Sequence, residues 1–154
     1  MKYFMLILLF PILACDHKPG HETNSIRSVT EVSKTHIEPH NGYSEAVVIE
    51  ANGLKTIYIS GQVGEGDTFE AQFRDAISKL QKVLKQSGAS FKDVVKVNTY
   101  IVDYSPEMLP VFRAVRKELL GDTEMPASTL IGVATLGLDS WKVEIDAVAL
   151  IPSN

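Results

Sequence analysis

An α+β domain with its helices on a single sheet face is the fold the sequence predicts, and three observations predict it. The chain has 154 residues, 45% apolar and 22% charged, which is one domain's worth of material able to bury a core. Its segments alternate between an apolar period of two and one of 3.6, in the order β-β-β-α-β-α-β-β. Two helices against six strands can cover only one face of a sheet.

The first strand is the weak run at 32–37. Two β-branched strands follow at 45–51 and 56–63, joined by Asn52-Gly53, a strong hairpin signal because both positions tolerate a positive φ. Asp67, with Glu70 three residues on, reads as a capping box opening the first helix. Phe69, Phe73, Ala76, Ile77, Leu80, Val83 and Leu84 share one face of it, and Gly88 stops it. Residues 94–102 form a further strand. Ser105-Pro106 opens the second helix, with Met108, Phe112, Val115 and Leu119 on one face and Pro110 making its first turn irregular. Strands at 127–136 and 142–151 close the domain.

Alternation sorts the strand residues between two faces. Val143, Ile145, Ala147, Ala149 and Ile151 make an apolar row, opposite Lys142, Glu144, Asp146, Val148 and Leu150. Ile57, Ile59 and Val63 oppose Thr56, Tyr58, Ser60 and Gln62, and Val95, Val97 and Ile101 oppose Lys96, Asn98, Tyr100 and Val102. The second face is too apolar to stand in water and too polar for a monomer's core, so it reads as a subunit interface with clefts in a closed homo-oligomer.

The N-terminus is a different kind of sequence. After Met1-Lys2 comes YFMLILLFPILA, twelve residues that are too few to span a bilayer at roughly 20 per helix but suit the apolar region of a secretory signal. Ile12-Leu13-Ala14-Cys15 contains the only cysteine of the chain and resembles the lipobox of a bacterial lipoprotein signal. That resemblance implies cleavage after residue 14 and a lipid on the Cys15 thiol, whose two acyl chains suffice for stable anchoring. Residues 15–29 then read as a flexible tether and 30–154 as the folded domain, exported and held at the membrane in the periplasm or at the cell surface. No thiol is left in the folded part for a disulfide, a metal or a nucleophile.

Composition excludes other roles. The net charge of −4 and the absence of a basic stripe argue against nucleic acid as a partner. His17 and His21, like His36 and His40, stand four apart, but Pro19-Gly20 and Pro39 interrupt the helices that would make them metal ligands, so no metal is assigned.

Five short stretches in order are similar to one family. Tyr43 precedes the first long strand; Ser60-Gly61-Gln62, Val94-Val95-Lys96-Val97-Asn98, Met125-Pro126-Ala127 and Val143-Glu144-Ile145-Asp146-Ala147 follow. Together they resemble the Rid family, also called YjgF or L-PSP, over nearly all of residues 30–151. The resemblance implies a chorismate-mutase-like fold and a homotrimer with three clefts between neighbouring subunits. It also implies cofactor-free hydrolysis of reactive enamines and imines, such as 2-aminoacrylate, to 2-keto acids and ammonia.

Carried over by position, the resemblance makes Glu144 the catalytic residue that positions or activates water. It makes Tyr43, Ser60, Gly61, Ser128 and Thr129 the substrate-contacting set, with Thr129 and Asn98 in the wall of the cleft. One position departs from the pattern. Where the deaminating members carry an arginine that clamps the substrate carboxylate, this chain has Ser128, whose hydroxyl offers one neutral hydrogen bond in place of a charge-assisted pair. Lys142, Arg113 and Arg116 are cations that could replace it, although surface Lys and Arg are usually just solvated. Two readings follow: a hydrolase of imines with an altered substrate range, or a non-catalytic trimer that binds a small metabolite. The endoribonuclease role attached to the family name fits an acidic chain least well.

Overall fold

The computed structural model describes residues 31–121 and 124–153, so the expected signal segment at 1–14, Cys15 and the tether expected at 15–29 lie outside the described residues. Strands β1 (Ser33–Pro39), β2 (Ser44–Ala51), β3 (Leu54–Val63), β4 (Val94–Val102), β5 (Ala127–Val133) and β6 (Val143–Pro152) form one sheet in the order β1-β2-β3-β6-β4-β5. Only β4 and β5 run parallel. Helices α1 (Phe69–Gln86) and α2 (Met108–Leu120) connect β3 to β4 and β4 to β5. Helix α1 packs on β3 and β6, and α2 packs on α1. The expected six-stranded α+β architecture is therefore the one observed. Among the described residues no helix is long and apolar enough to cross a membrane.

The core lies between the helices and one sheet face. Ile57, Ile101, Val143 and Ile145 meet Phe73, Leu80, Leu84 and Val115, all essentially fully buried. Each such side chain contributes about 1.5–3 kcal/mol through burial. The Phe73 ring stacks between those of Phe69 and Phe112, with centroids 5.8 and 5.0 Å away. At the β2–β3 turn Asn52 and Gly53 both take positive φ, 53° and 76°, as the hairpin signal requires.

Several local readings are corrected. Thr68, not Asp67, caps α1, accepting the Ala71 N–H at 3.1 Å. A short 3₁₀ turn, Phe91–Asp93, precedes β4 with its own Ser90/Asp93 capping box. Helix α2 starts at Met108 after two i+3 turns from Ser105 and Pro106, which places Pro110 in the first helical turn, where its missing N–H costs nothing. Strand β5 ends at Val133, three residues short of the expected 136.

The larger corrections come from two irregularities in the sheet. Between Ile59 and Gln62, Ser60 and Gly61 together face the single residue Asp146, so the pairing resumes as Gln62 with Ile145 and Val63 with Glu144. Gln62 therefore sits in the buried row and Val63 opposite Glu144, the reverse of simple alternation. A second shift between Val94 and Lys96 turns Val95 out to 49% exposure while Val94 stays buried. Val102, expected on the uncovered side, is also buried at the end of β4, where its N–H donates to the Lys142 carbonyl.

Candidate active site

The bulge at Ser60-Gly61 builds one side of a cleft. An added Cβ on Gly61 would lie 1.8 Å from Glu144 Oε1, so only a residue without a side chain lets the carboxylate lie against the backbone of β3. The Ser60 hydroxyl donates to the Ser44 carbonyl at 2.6 Å, which ties the bulge to the start of β2. Tyr43, Glu45, Gln62, Val63, Lys79 and Trp141 complete the lining around Gly61 and Glu144. Tyr43 is 55% exposed, and its ring lies 4.8 Å from that of His40.

Hydrogen bonds fix the cleft from two directions. Glu45 accepts from Gln62 Nε2 at 2.8 Å on one oxygen, and its other oxygen bonds His40 Nε2 at 2.9 Å. From α1, the buried Gln72 donates to the Gly66 and Ser140 carbonyls at 2.9 and 3.0 Å, and its own carbonyl accepts the Lys142 N–H at 2.8 Å. One side chain thus clips the loop after β3 to the loop before β6, which carries Trp141.

The carboxyl of Glu144 holds its proton more tightly than an ordinary glutamate. Partial burial, with the negative charge of Asp146 two residues along the same row, raises its proton affinity above the ordinary carboxylate range. No hydrogen-bond donor among the described residues engages its carboxylate. Asp146 is held differently: Asn98 Nδ2 donates to it at 2.8 Å. Burial, with the negative charges of Asp146 and Glu144 nearby, pushes the Tyr100 hydroxyl above its usual range, so it keeps its proton. The result is one fixed carboxylate beside one unengaged carboxylate that binds protons more readily.

The structure separates the expected substrate-contacting residues into two groups. Tyr43 and Gly61 line the cleft with Glu144, whereas the Ser60 hydroxyl is turned to the Ser44 carbonyl. Thr129 pairs with Asn98 on the uncovered face and takes a hydrogen bond from Lys96 Nζ. Ser128 pairs with Val97, so it points to the helix-covered face, about 10 Å along the strands from the level of Glu144 and two strands away. Within one chain, Ser128 and Glu144 do not share a cleft.

Ser128 lies in a second groove, between α2 and the edge strand β5. Arg116 Nη1 donates to Ser128 Oγ at 3.2 Å, Nη2 reaches Met125 Sδ at 3.4 Å, and the guanidinium lies 5.2 Å over the Phe112 ring. Arg113 lines the same groove, whereas Lys142 is exposed elsewhere. Of the three candidate cations, Arg116 is the one bonded to Ser128.

Sequence reasoning missed Glu45, Lys79 and Trp141 as cleft residues. Alternation along β2 places Glu45 opposite Ala46 and Val48 and could have marked it. Lys79, on a half-buried position of an amphipathic helix, carried no such signal. Among the described residues no cluster of three or more His, Cys, Asp or Glu is placed to hold a metal ion.

Comparison with known proteins adds independent findings. The sequence pattern of the family described as Endoribonuclease L-PSP matches residues 33–151. A 2-iminobutanoate/2-iminopropanoate deaminase of Dermatophagoides farinae is 32% identical over 122 residues, 74% of this chain and 89% of that one. The mitochondrial protein mmf1 of Schizosaccharomyces pombe is 34% identical over 143 residues, 86% of this chain and 82% of that one. Among solved structures, Rv2704 of Mycobacterium tuberculosis, a member of the YjgF/YER057c/UK114 family, superposes with a TM-score of 0.65 at 29% identity, covering 77% of this chain and all of that one.

Proposed function

The chain belongs to the L-PSP family, the YjgF or Rid family, and from that premise we propose that it is a hydrolase of reactive imines and enamines. The observation that carries the reading is Glu144: a carboxylate of raised proton affinity, engaged by no donor among the described residues, held over the bare backbone of Gly61. An enamine first tautomerises to its imine. Glu144 takes a proton from water as the water oxygen adds to the C=N carbon, and the nitrogen gains a proton. The carbinolamine then collapses, expelling ammonia and leaving a carbonyl group. Atoms balance as imine plus water giving carbonyl compound plus ammonia, and a positioned general base contributes about 10²–10⁴-fold to such a step.

Tyr43, Ser60 and Gly61 contact the substrate beside Glu144, and Ser128 and Thr129 contribute from another surface of a homotrimer, so that each cleft forms between neighbouring subunits. Half-exposed Tyr58 and Val95 and exposed Leu150, on the face the helices leave open, support such an assembly. The YFMLILLFPILAC stretch supports export and lipid anchoring through Cys15.

The test is turnover of freshly generated imines, with and without carboxylates, by the purified full-length protein beside Glu144→Gln. The expected result is parent activity that falls by about 10²–10⁴-fold in the variant. A parent inert on every imine would leave the second reading, a metabolite-binding trimer, which Ser128 in place of the arginine favours.

A further inference from the structure

Trp141 is fixed from three directions, yet no step of the hydrolysis above uses it. Its backbone N–H donates to the Leu138 carbonyl at 3.0 Å. Buried Gln72 bonds the residues on either side of it, donating to the Ser140 carbonyl at 3.0 Å and accepting the Lys142 N–H at 2.8 Å. The indole lies against bare backbone at Gly137, where an added Cβ would stand 2.8 Å from its Cζ3 atom. A half-buried ring seated by a glycine and clipped at both neighbours is ordered before any ligand arrives, so stacking on it carries little entropic cost.

The cleft leaves that ring open to a ligand. Glu45 is engaged by Gln62 and His40, and Lys79 by Asp75, Glu65 and the Val63 carbonyl. Tyr43, Val63 and Trp141 form the apolar lining around Glu144. The cleft volume of about 380 Å³ is well above the roughly 150 Å³ that accommodates benzene. A flat hydrocarbon group therefore fits beside a C=N carbon placed at Glu144, whereas a substituent of one or two carbons would leave the indole uncovered.

We propose that Trp141 is the specificity-determining residue of this cleft, and that its preferred ligands carry an aryl group on a short alkyl arm: arylalkyl imines and the ketones they yield. The aryl ring packs on the indole, offset or edge to face as aromatic pairs prefer. The imine half of the ligand class rests on the hydrolase reading, while the aryl seat stands on Trp141, Gly137 and Gln72.

The probes are 4-phenylbutan-2-one and butan-2-one, stable ketones that differ by one phenyl group, titrated calorimetrically into the full-length protein. Trp141 is the only tryptophan of the chain, so a saturable change in its emission places the ligand at that ring without the help of any variant. Trp141→Leu keeps an apolar side chain without a ring, and Trp141→Phe keeps a ring. The expected result is binding of the phenyl ketone tenfold or more tighter than butan-2-one, with an emission change, a preference that falls at least fivefold in Trp141→Leu and is largely kept in Trp141→Phe. Equal binding of the two ketones, no binding by the parent, binding without an emission change, or an unchanged preference in a folded Trp141→Leu would each overturn the assignment. Turnover of the two corresponding imines, beside Glu144→Gln, separates the readings. If aryl binding depends on Trp141 but turnover is absent or indifferent to Glu144, the hydrolase reading fails alone. If turnover needs Glu144 and both imines are processed alike, with or without Trp141, only the aryl seat fails.

Discussion

The cleft at Glu144 and the groove at Arg116 lie on opposite sides of one sheet and hold opposite charges in the same unusual condition. Each presents an ionisable group that is partly desolvated and has no partner of opposite sign among the described residues. By contrast, Arg74 sits between Glu70 and Glu118, and Lys79 bonds Asp75 and Glu65. A structural role would have favoured such pairing at Glu144 and Arg116 too, since a desolvated charge is costly until something complements it. On the hydrolase reading proposed above, the unpaired carboxylate of Glu144 is the one left free to work on water and the substrate nitrogen.

Three experiments sharpen or break that contrast. Gly61→Ala carries the largest expected effect. A methyl group 1.8 Å from Glu144 Oε1 must displace the carboxylate, and a misplacement of about 1 Å costs on the order of 10²-fold in rate. Unchanged imine turnover by a folded Gly61→Ala would mean that the seat of Glu144 against β3 does not set the rate.

Gln72→Leu comes next. It strips partners from the Gly66 and Ser140 carbonyls and the Lys142 N–H, an expected loss of about 1–3 kcal/mol in denaturant unfolding. Because the clip holds the loop carrying Trp141, turnover should fall as well. Unchanged stability would mean that water replaces the side chain without cost.

Asp146→Asn should produce the smallest effect, a displaced pH profile. Glu144 acts as a base only when ionised, so the rate rises with pH through a midpoint above the ordinary carboxylate range. Removing the neighbouring negative charge moves that midpoint to lower pH. The same shift has a stability counterpart. A folded-state proton affinity above the unfolded one gives stability that is complete below the ordinary carboxylate pKa and lost as pH rises through the raised one. Glu144→Gln should accordingly melt slightly higher than the parent at neutral pH and equally at acid pH. A midpoint indifferent to Asp146 would mean that burial alone sets the base.

Much of the fold was legible because it follows from local patterns. The face of α1 read as Phe73, Ala76, Ile77, Leu80, Val83 and Leu84 is the buried face, and the row Val143, Ile145, Ala147, Ala149 is buried throughout. Glu144, Gly61 and Tyr43 were recognisable from their stretches, and the structure brings them to one cleft. Less was legible where parity breaks. Counting by twos assigned Val63 to the core and Gln62 to the open face, and the bulge at Ser60-Gly61 reverses both.

The sequence by itself determined the elements, their order, the side of each helix that is buried and the presence of a carboxylate at 144, because propensity and periodicity act over a few neighbouring residues. Tertiary structure alone decided the two bulges, the separation of Ser128 from Glu144 and the meeting of Ser128 with Arg116. Those depend on how β3 registers against β6, more than eighty residues away, and on where α2 comes to rest against β5. Long-range register and helix docking are set by the packing of the whole core, and no local stretch of the chain encodes them.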